Sequence, residues 1–278
     1  MDNEQETLRR QVLAGIGGAR VVQLGQLIDR FATKWSAVPN FEQRLYGFHD
    51  PEAPQPEGQY PGVTGASDTI FMSTHSGSHM DSLSHVAVDG VLFDGTRVTE
   101  PGVQDERTGV RLRTRENLAP IVSRGVLLDI AAFLGVDLVP RDYVLGREEF
   151  DACCRERGVE VRAGDTVLFR TGYDTLAHDN DEYVRLPLPG PDGEVCRLLV
   201  ERGVVSTGSD TMPFEAAPGP LNMAGHVELL VRGGVFIYEM LDLRELAQQD
   251  AREFVFVAAP LRLRGGTGSP VNPLAVLL

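Results

Sequence analysis

The second half of the chain alternates short β-type runs with helix-like segments, and this alternation constrains the fold more than any other feature. GVLLDIA (125–131) and VFIYEML (235–241) are apolar runs of strand length, whereas REEFDACCRERG (147–158) has the composition and length of a helix. Strands that alternate with helices predict an α/β domain with a mostly parallel or mixed central sheet flanked by helices. No internal repeat or low-complexity linker divides the chain, so we expect one domain over residues 21–278, preceded by an N-terminal arm over 1–20.

Composition and charge argue against two classes of partner. No apolar run approaches the roughly eighteen residues that a membrane-spanning helix needs, so we expect no membrane partner. The net charge of −14 disfavours nucleic acid, because nonspecific affinity for phosphates comes from basic surface. One basic stretch, RTGVRLRTRE at 107–116, alternates Arg with Val, Leu and Thr, and we interpret it as the exposed face of a strand.

Cysteine usage and the N-terminal residues indicate a reducing compartment. Cys153, Cys154 and Cys196 form no CxxC pair and are odd in number, which argues against a disulfide framework. The first ten residues, MDNEQETLRR, have no basic region followed by an apolar stretch, so they do not read as a secretory signal. We therefore expect a cytoplasmic protein with reduced thiols.

The segment HSGSHMDSLSH, at 75–85, holds three of the six histidines of the chain together with an aspartate. On a straight strand His75 and His79 would share a face with Asp81, but the two histidines would lie about 13 Å apart, too far to bind one ion. The chain must curl between them, and Gly77 permits a backbone with positive φ. Two imidazoles and a carboxylate then suit a divalent ion such as Zn²⁺ or Mn²⁺, although a polar surface loop is the alternative.

Two further residues could join such a site. GHVELLVRGG places His226 at the head of an amphipathic helix, and VFIYEML places Glu239 inside an apolar strand. An ionised Glu in an apolar strand is costly unless a cation meets it. Glu239 therefore either marks a solvated strand edge or contacts a metal.

A loop-rich stretch from Pro39 to Gly65 follows the first predicted strand. Its prolines and glycines forbid long regular elements and are typical of a loop over a pocket mouth. Nearby aromatic residues could line a substrate site or pin the loop as a local apolar cluster. The candidate substrate-binding residues are Trp35, Phe41, Phe48 and, from the second half of the chain, Phe214.

HSGSHMDSLSH resembles the HxGTHxDxPxH signature of the cyclase family, which includes bacterial kynurenine formamidases and isatin hydrolases. The segments GDTVLFRTGYD, GVVSTGSDT and PLRLRGGTGSPVNPLAV look like further blocks of the same family, so the resemblance covers roughly residues 20–278. It implies the swivelling β/α fold of that family. Two departures are Ser78, where Thr is usual, and Leu83, where the formamidases have Pro.

The resemblance implies a role for each residue of the motif. The metal ligands would be His75, His79, Asp81, His226 and Glu239. Asp81 and Glu239 would bridge two ions where two are bound, and His85 would be the general acid/base. Family members bind one or two ions, Zn²⁺ or Mn²⁺, and form homodimers or larger oligomers in which N-terminal segments shape the neighbour's pocket.

These features together predict a metal-dependent hydrolase that cleaves an amide-type C–N bond of a small aromatic or cyclic substrate, as an arylformamidase or an isatin hydrolase does. A metal-bound hydroxide would attack, and His85 would carry the proton to the leaving nitrogen. One alternative is a cyclase, dehydratase or lactone hydrolase with the same metal site. Another is a binding protein that keeps the fold without catalysis.

Overall fold

The computed structural model describes the chain, with short gaps, from just before its first strand to its last residue. The described residues are 15, 17–35, 37–50, 52, 60–114 and 116–278. Most of the predicted N-terminal arm over 1–20 lies outside them.

The described residues form fifteen strands, numbered in chain order. They are β1 Arg20–Gln23, β2 Glu42–Gly47, β3 Ser67–Phe71, β4 His79–Asp81, β5 Gln104–Asp105, β6 Gly109–Val110, β7 Ile121–Asp129, β8 Val144–Leu145, β9 Thr166–Arg170, β10 Gly190–Pro191, β11 Ser206–Ser209, β12 Phe236–Glu239, β13 Glu253–Ala258, β14 Gly268–Pro270 and β15 Leu274–Leu277. Nine of them make one sheet in the order β1-β15-β13-β7-β9-β11-β12-β4-β14.

The centre of this sheet is parallel and its two sides are antiparallel. Strands β7, β9, β11 and β12 run parallel to one another, whereas β13, β15 and β1 on one side and β4 and β14 on the other pair antiparallel. Strands buried on both faces read as continuous apolar runs, and Val126, Leu127 and Leu128 of β7 are fully buried. The predicted single α/β domain with a mixed central sheet is confirmed.

Helices connect the parallel strands. The α-helices are α1 Ile130–Leu134, α2 Arg147–Arg157, α3 Asn180–Tyr183, α4 Gly193–Glu201, α5 Ala224–His226 and α6 Arg244–Gln248, with a 3₁₀ turn at Tyr173–Leu176 and a π-helical segment at Val227–Gly233 directly after α5. Helix α2 matches the predicted REEFDACCRERG helix. No helix of the described ranges is long and apolar enough to cross a bilayer.

The basic stretch at 107–116 is not the strand face that its alternation predicts. Among its described residues, which leave out position 115, only Gly109 and Val110 pair in a strand, β6. The Asp94 carboxylate accepts the backbone N–H groups of Arg113 and Thr114, at 2.8 and 3.1 Å. This carboxylate replaces the acceptors that a neighbouring strand would supply, so residues 113 and 114 form a bend instead of a strand.

Strands β2 and β3 form a hairpin separate from the main sheet. All the residues of both strands are exposed except the half-buried Gly47. Leu45, Ile70 and Phe71 are 53%, 60% and 61% exposed. The hairpin therefore presents an apolar surface that the rest of the described chain does not cover.

Candidate metal centre

The loop between His75 and β4 has the curl that the sequence predicts. Gly77 adopts φ of 60°, and its N–H donates to Thr33 O at 2.7 Å, which fixes the bend. Strand β4 lies between β12 and β14, with His79 opposite Glu239 and Asp81 opposite Ile237. The curl and this register bring His75, His79, Asp81 and Glu239 to one place.

The Asp81 carboxylate is the centre of the cluster. It is 1% exposed, and three imidazole nitrogens approach it: His75 Nδ1 at 2.8 Å, His226 Nε2 at 3.3 Å and His79 Nε2 at 3.5 Å. Neither carboxylate oxygen accepts a hydrogen bond from any described group. A buried carboxylate without hydrogen bonds is costly, and a cation held between it and the imidazoles would supply the missing partner.

The second ring nitrogen of each of these imidazoles, the one that does not approach Asp81, contacts an oxygen atom. Nδ1 of His79 contacts Gly77 O at 2.8 Å, Nδ1 of His226 contacts Glu215 Oε2 at 2.6 Å, and Nε2 of His75 contacts Thr267 Oγ1 at 3.2 Å. A metal-bound histidine donates its second ring N–H in this way, which fixes the tautomer and aims the lone pair at the ion. The donor set therefore fits a divalent cation.

Glu239, the last residue of β12, completes the cluster. Its carboxylate lies 3.4 Å from His79 Nε2 and 3.4 Å from His226 Nε2, and Oε1 also accepts the backbone N–H of Phe214 at 2.8 Å. Burial alone would raise the pKa of this carboxyl, but the imidazoles of His226 and His79 lower the pKa to about 2. Asp81 and Glu239 thus both lie next to His79 and His226. Their assignment as metal ligands stays a prediction.

His85 lies beside this set. Its ring centroid is 4.3 Å from that of His75 and 6.0 Å from that of His226. One nitrogen of His85 also lies within 4.8 Å of ligand atoms of Asp81 and His226, so the position suits either a proton carrier or a further ligand. Burial lowers the pKa of His85 to about 4, against the opposing charge of Asp81.

Glu215 is a residue of the cluster that sequence reasoning missed. Its carboxylate is buried, and besides the contact with His226 Nδ1 it accepts the His226 backbone N–H at 3.4 Å. The available signal was the same as for Glu239: a carboxylate within an apolar segment, here MPFEAA. The glycine-rich segment GGTGS at 265–269, which the sequence favours as a structural turn closing the site, also reaches the cluster: Thr267 contacts His75, and a Cβ on Gly268 would lie 2.6 Å from the His75 ring.

The four candidate substrate-binding residues lie in different surroundings. Trp35 is half-buried against a cluster that contains Met212 and Met240, next to Glu239. The Phe214 ring is fully buried and packs on Phe169, so this residue meets the site through its backbone N–H. Phe41 borders a separate cavity, and Phe48 is 68% exposed after β2. Their roles toward a substrate stay predictions.

Comparison with known proteins identifies relatives of the whole domain. Isatin hydrolase of Roseibium aggregatum is 26% identical over 220 residues, which are 75% of this chain and 73% of that protein. The crystal structure of a novel cyclase superposes with a TM-score of 0.83 at 24% identity, covering 96% of this chain and 89% of that one. Isatin hydrolase A of Ralstonia solanacearum superposes with a TM-score of 0.70 at 23% identity, covering 100% and 98%. The family model Cyclase, described as putative cyclase, matches residues 22–216, so the chain belongs to this family.

Proposed function

We propose that this protein is a metal-dependent hydrolase that opens an amide-type C–N bond in a small aromatic or cyclic substrate, as an isatin hydrolase or an arylformamidase does. The observation that carries the proposal is the orientation of three imidazoles around the Asp81 carboxylate. The second ring nitrogen of each imidazole contacts a separate oxygen atom: a carbonyl, a carboxylate or a hydroxyl. The relation to isatin hydrolase supports the substrate class.

His75, His79 and Asp81 would hold one divalent ion, Zn²⁺ or Mn²⁺, and His226 and Glu239 would hold a second ion with Asp81. Mixed nitrogen and oxygen ligands suit both metals. A bound ion of this kind supplies Lewis acidity, because it polarises a carbonyl oxygen and makes water more acidic.

His85 is the proposed proton carrier. Its imidazole would take a proton from the attacking water and give it to the leaving nitrogen, the two half-steps of general acid–base catalysis. Its place beside the rings of His75 and His226 keeps it within reach of a substrate carbonyl held at the ligand cluster. Glu215 and Thr267 act through other residues, because they orient His226 and His75.

The test combines metal content with turnover. Metal would be quantified by plasma mass spectrometry, and hydrolysis of isatin and of N-formylkynurenine would be followed before and after chelation. We expect tightly bound metal and cleavage of one substrate that chelation abolishes and metal restores. Bound metal with neither activity, or activity that survives chelation, would contradict the proposal.

A variant pair separates the role of His85 from that of the ligands. His85→Ala should keep the metal and lose most turnover, by about 10²–10⁴-fold. His178→Ala is the matched control, because His178 borders a separate cavity with Phe41. Loss of metal in His85→Ala would make this residue a ligand instead.

We also propose that the protein is a homo-oligomer in which the β2–β3 hairpin packs on a second copy. An isolated two-stranded hairpin is only marginally stable in water, and its apolar side chains here have no cover within the described chain. Light scattering coupled to size exclusion should report the molar mass of a dimer or tetramer. The double variant Ile70→Lys with Phe71→Glu should have a smaller molar mass. A monomeric parent protein would contradict this.

A cytoplasmic location is proposed from the thiols. Cys153, Cys154 and Cys196 are buried and free, and burial raises the pKa of Cys153 to about 12 and that of Cys154 to about 11. Packed, unreactive thiols suit a reducing compartment. Fractionation of the native cells, probed with an antibody to the chain, tests the location; recovery with extracytoplasmic proteins would overturn it.

A further inference from the structure

A cavity of about 550 Å³ lies between the segments 111–118 and 262–265, outside the metal centre. None of the proposed metal ligands borders it. Four arginines do: Arg111, Arg113, Arg262 and Arg264. In a chain with net charge −14, this is a strong local concentration of positive charge.

Only two of the four guanidinium groups are neutralised by a described neighbour. Arg113 pairs with Glu100, and Arg262 pairs with Glu116 at 2.8 Å. Among the described residues, no carboxylate lies within ion-pair distance of Arg111 or Arg264. The cavity therefore retains two positive charges, since a guanidinium is always protonated in proteins.

Arg111 supplies a second, independent observation. Its Nε atom is buried and has no hydrogen-bond partner within the described chain. No acceptor within the described chain therefore holds the Arg111 guanidinium through Nε. A planar guanidinium binds a carboxylate or a phosphate through two parallel hydrogen bonds.

The wall of the cavity is partly apolar. Leu112, Leu118 and Leu263 border it, and Leu263 is partly exposed. The volume lies in the range of small-molecule sites, which combine apolar walls with a few placed polar groups. These features favour an organic anion over a bare inorganic ion.

We propose that this cavity binds a small organic anion with two acidic groups, carboxylate or phosphate, through Arg111 and Arg264. Hydrogen bonds connect this cavity to segments that carry residues of the proposed metal centre. The Asn117 side chain, which borders the cavity, donates to Ser84 Oγ at 2.7 Å and to Gly266 O at 2.9 Å. Ser84 precedes His85 in the chain, and Gly266 precedes Thr267, which contacts His75.

Isothermal titration of the metal-loaded protein at constant ionic strength tests the proposal. The probes are succinate and inorganic phosphate, with succinamide as the uncharged analogue of succinate. We expect saturable binding of succinate, tighter than that of phosphate, and none of succinamide. Saturable binding of phosphate without binding of succinate would show a site for an inorganic ion only and would contradict the proposed organic anion. Absence of saturable binding for both anions, or equal binding of succinamide, overturns the proposal.

Variants locate the site. Arg264→Gln and Arg111→Gln should each weaken binding at least about tenfold, the effect of losing a charge-assisted hydrogen bond. Arg232→Gln is the matched control, because Arg232 is an exposed arginine that pairs with Glu228 elsewhere. Arg264 is exposed, so its replacement leaves folding intact even if Arg111→Gln does not fold. Unchanged binding in a folded Arg264→Gln variant would place the anion elsewhere, at the metal for example, and refute the site.

Discussion

Replacing Glu215 with Gln should weaken metal binding without unfolding the protein. The Glu215 carboxylate contacts His226 Nδ1 at 2.6 Å and the His226 backbone N–H at 3.4 Å, and both groups are buried. Gln keeps the shape and one acceptor oxygen but removes the charge. A charge-assisted hydrogen bond is roughly twice as strong as a neutral one, and loss of such an outer partner costs about 10- to 100-fold in metal affinity. That range corresponds to about 1.4–2.7 kcal/mol.

The assay is competition for the metal with a chromogenic chelator, with circular dichroism and thermal melting as checks of folding. Glu228→Gln is the matched control, because Glu228 lies two residues beyond His226 and its carboxylate pairs with Arg232. We expect the control to bind metal as the parent protein does. A folded Glu215→Gln variant whose affinity lies within twofold of the parent value would refute the idea that Glu215 orients His226.

Three further predictions concern single positions. Gly268→Ala should displace the His75 ring, since the new Cβ would lie 2.6 Å from it, and metal titration should show weaker binding in a protein that still melts cooperatively. Burial, with the charge of Asp210 beside it, raises the pKa of Asp174 to about 7, so this carboxyl stabilises the fold when protonated. That stability is fully present below the unfolded pKa of about 4 and is lost as the pH rises to about 7. The melting temperature of the parent should therefore fall between pH 4 and 7 relative to that of Asp174→Asn, by about 2–4 °C per kcal/mol, and parallel profiles would contradict this. Leu83→Ala should cost about 2–5 kcal/mol in urea unfolding, because Leu83 is fully buried in the core, and a loss under 1 kcal/mol would show that the site is not tightly packed.

The sequence predicts those parts of the molecule that depend on local pattern. Helix α2 and strand β7 follow from composition and period, and the bend at Gly77 follows from the distance that two histidines must bridge to share an ion. These inferences need no knowledge of how distant segments meet.

Other parts depend on contacts that sequence spacing does not encode. Glu215 becomes a partner of His226 only because the turn after β11 packs against α5, and Thr267 meets His75 only because β14 pairs with β4. The stretch at 107–116 failed as a strand because the Asp94 side chain captures two of its N–H groups. Tertiary context overrode a local pattern there.

The position of β4 has a consequence for how the site assembles. This three-residue strand belongs to the first third of the chain but pairs on both sides with strands from the last third, β12 and β14. An ion shared by Asp81 and Glu239 would act as a cross-link that closes most of the chain into a loop, and such a link stabilises by reducing the entropy of the unfolded chain. Pairings of long sequence separation form slowly, so the parallel centre of the sheet should fold before β4 docks. Metal binding would then be the step that completes folding and locks β4 in place.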